Sequence, residues 1–142
     1  MRQSVLLLVT ALLILLAMGA GCVSQTLFDE TAYVDNDYEV HYSFEVIDTP
    51  VNLQISLETD GNPVDLIVLD EENFNIFDDG ISSGIFKNFR AIGSNPFIIQ
   101  TTETYSLTNK GTYYIVIENT DFLPNGADAG QGVKYSITIT AS

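Results

Sequence analysis

From Tyr38 onward, apolar and polar residues alternate with the period of a β-strand. Tyr38, Val40, Tyr42, Phe44 and Val46 form one set, and Glu39, His41, Ser43 and Glu45 the other. Successive side chains of a strand point to opposite faces, so this segment reads as a half-buried strand. Val51, Leu53, Ile55 and Leu57 alternate in the same way with Asn52, Gln54, Ser56 and Glu58, after which Asp60-Gly61-Asn62-Pro63 turns the chain. Val64 to Leu69 is nearly continuous in its apolar residues, as expected of a strand covered on both faces. Asp70-Glu71-Glu72-Asn73 reads as a turn, Phe74 to Phe77 as a short strand, and Asp78-Asp79-Gly80 as a second turn.

Ile85 to Ile92 has mixed periodicity and is the least defined stretch. Phe97 to Thr102 reads as a strand that Thr104 to Leu107 extends. Thr112 to Glu118 and Val133 to Thr140 close the chain as two further strands, separated by a long loop from Asn119 to Gly132. No sustained 3.6-residue pattern is present after the first residues. Short strands at intervals of roughly 8–12 residues, with turn residues between them, predict an all-β antiparallel sandwich of about seven to nine strands.

The amino terminus follows a different rule. Arg2 precedes Val5 to Met18, which is apolar except for Thr10, and Gly19-Ala20-Gly21 leads into Cys22. A charged start, an apolar middle and a small-residue junction make a secretory signal, expected over residues 1–21. Cys22 is the chain's single cysteine and cannot form an internal disulfide. Its position resembles the lipobox of prokaryotic lipoproteins, in which that thiol receives a diacylglyceryl group, although Gly19 stands where a leucine is usual. An uncleaved anchor and plain secretion are the competing readings. The run is short for a membrane span, which needs about 20 apolar residues. Lipidation at Cys22 is therefore the expectation, followed by an acidic tether over residues 22–37 and a single domain over 38–142.

Charge then narrows the partners. The chain carries 19 acidic against five basic residues, a net charge of −14, and removal of Arg2 with the signal makes it −15. Such a surface repels phosphate backbones, which excludes nucleic acid as a partner, and it disfavours charge-driven docking on anionic lipid. Contact with the membrane is left to the lipid anchor. Adaptation to a salty exterior and binding of divalent cations are two readings of the acidity, the first being the simpler.

Three segments together resemble the bacterial pre-peptidase C-terminal (PPC) domain and its sandwich relatives. They are Pro63-Val64-Asp65-Leu66-Ile67-Val68-Leu69-Asp70, the Gly111-Thr112-Tyr113-Tyr114-Ile115-Val116 strand with its flanks from Leu107 to Glu118, and Val133-Lys134-Tyr135-Ser136-Ile137-Thr138-Ile139. Their order and spacing agree with that family over residues 38–140. The resemblance implies a jelly-roll-like, noncatalytic accessory module. Relatives sit beside secreted peptidase domains, and some bind collagen or polysaccharide, in places with calcium.

Catalytic chemistry finds little support in the residues. The sole histidine, His41, falls on the polar face of its strand beside Glu39 and Ser43 and reads as a solvated position. No Gly-x-Ser-x-Gly nucleophile motif is present. Calcium takes six to eight oxygen ligands, and two acidic groups offer them: Asn119, Asp121, Asn125 and Asp128 in the long loop, and Asp29, Glu30, Asp35 and Asp37 in the arm. Neither forms an EF-hand, so no cofactor is assigned. Seven tyrosines (Tyr33, Tyr38, Tyr42, Tyr105, Tyr113, Tyr114, Tyr135) are present without tryptophan; exposed ones would stack on a sugar or protein ligand. Tyr113 and Tyr114, adjacent in one strand, must face opposite ways.

The sequence thus predicts a lipid-anchored, extracytoplasmic, noncatalytic binding or accessory module on the outer face of the cell membrane, with a protein or glycan ligand. A structural cell-envelope protein that assembles with surface-layer or peptidase partners is the alternative.

Overall fold

The computed structural model describes residues 23–142; the signal segment and Cys22 lie outside the described residues. Eight strands and one helix follow in the order β1 (Gln25–Val34), β2 (Tyr38–Val46), β3 (Val51–Thr59), β4 (Val64–Asp70), α1 (Glu71–Ser83), β5 (Gly93–Ile98), β6 (Gln100–Leu107), β7 (Gly111–Asn119) and β8 (Val133–Ala141). They build two four-stranded antiparallel sheets, β1-β8-β3-β6 and β2-β7-β4-β5. The alternating apolar sets of both sheets face one another, and Tyr42, Leu53, Ile55, Leu66, Ile115, Tyr135 and Ile137 are buried between them. This is the antiparallel sandwich that the period-two pattern predicts.

Three expectations need correction. The arm over 22–37 is not a tether: Gln25–Val34 is an edge strand paired in register with β8, from Gln25 opposite Ala141 to Val34 opposite Val133. Its register shifts between Thr26 and Phe28, so the apolar positions Leu27, Phe28, Ala32 and Val34 never form one clean alternation. A bulge of this kind hides a strand from period-two reading. The domain therefore starts near Gln25, not at Tyr38.

The second correction is α1. The segment read as turn, short strand and turn is one helix, entered through Asp70, whose Oδ1 accepts from the Asn73 backbone N–H at 2.9 Å. Glu71 and Glu72 occupy its first turn, where the helix dipole favours negative charge, and Gly84 at φ 69° ends it in the left-handed region. Phe74, Phe77 and Ile81 lie on one side, against Ile67, Leu69 and Val116 on the outer face of the β2-β7-β4-β5 sheet. That second small core explains why β4 is buried on both faces.

The third concerns residues 93–107, which are two strands in different sheets. β5 pairs with β4, and β6 pairs with β3. The chain crosses between sheets at Ile99, two residues after Phe97, which adopts φ 57°.

Candidate functional site

The two ends of the sandwich differ in their side chains. At one end lie the start of β1, the end of β8, the start of β3 and the end of β6, since Gln25 and Leu53 both pair with Ala141, and Val51 with Leu107. The opposite, far end gathers the β1–β2 turn at 35–37, the β3–β4 turn at 60–63, the β5–β6 crossing and the β7–β8 loop at 120–132. Strands of nine residues at about 3.3 Å each separate the two ends by about 30 Å.

Beneath the far-end loop lies a pair of sealed carboxylates. Asp65 on β4 and Glu118 on β7 are paired neighbours on the outer face of their sheet, 1 % and 0 % exposed. Asp65 Oδ1 accepts from the Phe97 N–H at 3.0 Å, and both Asp65 oxygens accept from the Ala127 N–H at 2.9 Å. Glu118 Oε1 accepts from the Thr120 N–H at 2.9 Å and from the Thr120 hydroxyl. Glu118 Oε2 has no donor, and two ionised carboxylates have none to offer each other. A proton on Glu118 resolves this, because its hydroxyl then donates to Asp65. Burial, reinforced by the Asp65 carboxylate and opposed by the Thr120 bonds, pushes the Glu118 carboxyl up to about 9.

This pair organises the far end. One carboxylate holds both the β7–β8 loop, at Ala127, and the β5–β6 crossing, at Phe97. Within the loop, Leu123-Pro124-Asn125-Gly126 turns with Gly126 N–H donating to Leu123 O at 3.0 Å and Asn125 at φ 63°. Proline at the second position and a residue of positive φ at the third make a type II turn. Gly126 is required for a different reason: a Cβ there would collide with Asp65 Oδ2. Asn119, fully buried, ties the loop base by donating to Asp35 O (3.2 Å) and Gln131 O (2.9 Å) and accepting from Ala129 N–H (3.1 Å).

Around this support the far end displays apolar side chains. Seven large apolar residues are exposed among the described residues, and Tyr33, Ile85, Phe86, Phe97 and Ile99 belong to this end. Tyr33 packs over Gly132, and Phe86 meets Phe122 of the loop at a ring separation of 5.7 Å. Phe97 is 57 % exposed in spite of its positive φ. A bulky residue in that region is strained and is retained only where its surroundings hold it, which the Asp65 bond does.

The residues singled out from the sequence are dispersed. His41 is not solvated: α1 covers its face, its ring lies 4.8 Å from Phe74 and 5.9 Å from Tyr114, and Nδ1 is 3.2 Å from Glu39 Oε2. The nearby Asp78 carboxyl is raised by burial and by the Glu39 charge. In the arm, Asp29 faces outward and accepts from the Thr138 hydroxyl at 3.2 Å, whereas Glu30 faces inward and accepts from the Tyr42 hydroxyl at 2.6 Å. In the loop, Asn119 is consumed by backbone contacts, and Asp128 Oδ1 accepts from Gly130 N–H at 2.9 Å. Among the described residues no group of three or more His, Cys, Asp or Glu side chains is placed to hold a metal ion.

Of the tyrosines, Tyr42 and Tyr135 share a hydroxyl contact of 2.9 Å in the core, and Tyr113 is buried on the inner face. Burial pushes the Tyr135 hydroxyl up to about 12 and raises Tyr42 still further. Tyr114 does face the other way, but it stacks on Phe74 at 3.8 Å, under the helix. The Asp65–Glu118 pair escaped sequence reading, because Asp65 lies inside an apolar strand and Glu118 closes another. A carboxylate inside a strand otherwise covered on both faces was the available signal.

No protein-family model and no curated protein matches the chain. Among solved structures, it is similar to PliG of Aeromonas hydrophila, a periplasmic inhibitor of g-type lysozyme. The TM-score is 0.54 at 15 % identity, over 94 % of this chain and 96 % of that one. The pre-peptidase C-terminal domain of a Bacillus anthracis collagenase aligns with a TM-score of 0.45 at 14 % identity, over 77 % and 88 %. The carbohydrate-binding module CBM36, solved with calcium and xylotriose, aligns at 0.39 and 18 %, over 86 % and 90 %. At these identities the likeness concerns the fold alone.

Proposed function

We propose that the protein is a noncatalytic binding module, displayed outside the cytoplasm and held to the membrane by a lipid on Cys22. The observation that carries this reading is that five of the seven large exposed apolar side chains among the described residues lie at one end of a surface otherwise dominated by carboxylates, since concentrated apolar exposure marks interaction sites. The acid pair Asp65 and Glu118 is sealed from solvent and bonded to backbone N–H groups, a role in architecture and not in turnover. A neighbour of the same fold is a periplasmic lysozyme inhibitor, which supports a binding role without naming the ligand.

With β1 beginning at Gln25, at most about 11 Å of extended chain separates the sandwich from Cys22. A lipidated Cys22 would set the β1-start end against the bilayer. Two acyl chains suffice for stable anchoring where one does not. Mass spectrometry of the mature amino terminus tests the anchor: a diacylglyceryl-modified Cys22 is expected, and an unmodified Cys22 or an intact signal refutes it. Glycan and peptide arrays test the binding role. Silence on both arrays, together with a stoichiometric envelope partner in pull-downs from detergent-solubilised membranes, would instead establish a structural envelope protein.

A further inference from the structure

We infer that the far end of the sandwich is the ligand-contacting surface and that its partner is a basic protein segment bearing apolar side chains. This rests on the binding-module reading and adds to it the place and the chemistry of the partner. The apolar set Tyr33, Ile85, Phe86, Phe97 and Ile99 lies at this end. Phe86 and Phe97 are linked through the β7–β8 loop: Phe86 touches Phe122, and Gly126 of the same loop lies against Asp65, which holds Phe97.

The exposed rim carries Asp35, Asp37, Asp60, Asp121 and Asp128. The cations nearby are Lys134 and Lys87, and Lys87 is paired with Asp79. The opposite end mixes Glu45, Asp48, Glu71 and Glu72 with Arg90 and Lys110 and displays none of these five apolar side chains.

Charge decides between occupants. A second copy would bring two rims of the same sign together, and like charges in contact cost several kcal/mol. An anionic glycan meets the same repulsion, and a neutral glycan, although its hydroxyls can donate to carboxylates, carries no charge for the rim to attract. A basic partner is drawn in by the rim and then buries the aromatic and aliphatic side chains, as interface centres do. Preorganisation favours this end further. Asp65 fixes both Phe97 and the loop before any partner arrives, which lowers the ordering cost of binding.

The test uses two synthetic probes, a lysine–leucine peptide and a lysine–glycine peptide of equal charge, titrated into the mature protein by calorimetry at several salt concentrations. The leucine peptide should bind about tenfold or more tightly than the glycine peptide, as expected where apolar anchors carry the interface. Phe97→Gly keeps the positive φ without strain and should abolish that preference. Asp37→Asn with Asp128→Asn keeps the local turns and should flatten the salt dependence for both peptides. Glu71→Gln with Glu72→Gln at the other end should change neither. Equal binding of the two peptides, a preference that survives Phe97→Gly, or self-association of the protein at this end overturns the inference. A neutral glycan that binds undiminished in Phe97→Gly overturns it too, while leaving the binding-module reading intact.

Discussion

Glu118→Gln should make the protein more stable as the solution becomes alkaline, in contrast to most losses of a buried polar group. The native carboxyl holds its proton until about pH 9, whereas an unfolded glutamate releases it near 4.5. Above pH 4.5 the unfolded state therefore binds fewer protons than the native state, and stability falls with rising pH. The contribution is fully present below 4.5 and is lost as pH climbs toward 9. At about 1.4 kcal/mol per pH unit, roughly 3 kcal/mol of it has gone by pH 7 and about 6 kcal/mol by pH 9.

Glutamine has the same shape and does not titrate. Its carbonyl accepts from Thr120, and its amide donates to Asp65 in place of the proton. Urea unfolding of both proteins between pH 4 and 10, at fixed ionic strength, gives a difference curve from which the general repulsion among the other carboxylates cancels. That curve should be flat below pH 4.5, rise in favour of the glutamine variant through neutrality, and level near pH 9. Parallel stability profiles for the two proteins, or a glutamine variant less stable at pH 8, would refute the shared proton and the geometry behind it.

Asp65→Ala removes the acceptor of the buried Ala127 N–H and the partly buried Phe97 N–H and should cost about 2–4 kcal/mol, with faster proteolysis within 120–132 as the local sign that the loop has opened. Gly126→Ala forces a methyl group onto Asp65 and should cost about 1–3 kcal/mol in chemical unfolding, with little change elsewhere by hydrogen exchange. Tyr42→Phe leaves Glu30 and Tyr135 without their shared hydroxyl and should cost about 1–2 kcal/mol, measured by denaturant midpoint.

Much of the sheet structure was legible because alternation reports which face of a strand meets the core. Strands β2, β3, β7 and β8 fall within a residue or two of their expected limits, and the continuous apolar run of β4 matches its burial on both faces. The failures have separate causes. In β1 a bulge breaks the alternation. In α1 only Phe74, Phe77 and Ile81 mark the buried side, too few to outweigh the acidic residues between them, although Asp70 with Asn73 and the terminating Gly84 form recognisable caps. At Ile99 the chain changes sheets without a glycine or a long loop, and a run of strand-forming residues shows no sign of that crossing.

The candidate site was almost wholly a tertiary outcome. Alternation by itself determined that this chain forms an antiparallel sandwich, and composition determined that its surface is strongly acidic, because face and charge are local properties of residues. Which carboxylates meet is not local. Asp65 and Glu118 become neighbours only through the β4–β7 register, and they are sealed only because a loop 62 residues from Asp65 brings the Ala127 N–H onto it. The same packing places Phe97 in a strained, exposed position and turns His41 from a solvated residue into one held beneath a helix. Energies of burial and proton sharing depend on what is brought together across the sheets, so the sandwich was written in the pattern, and its far end was made by the fold.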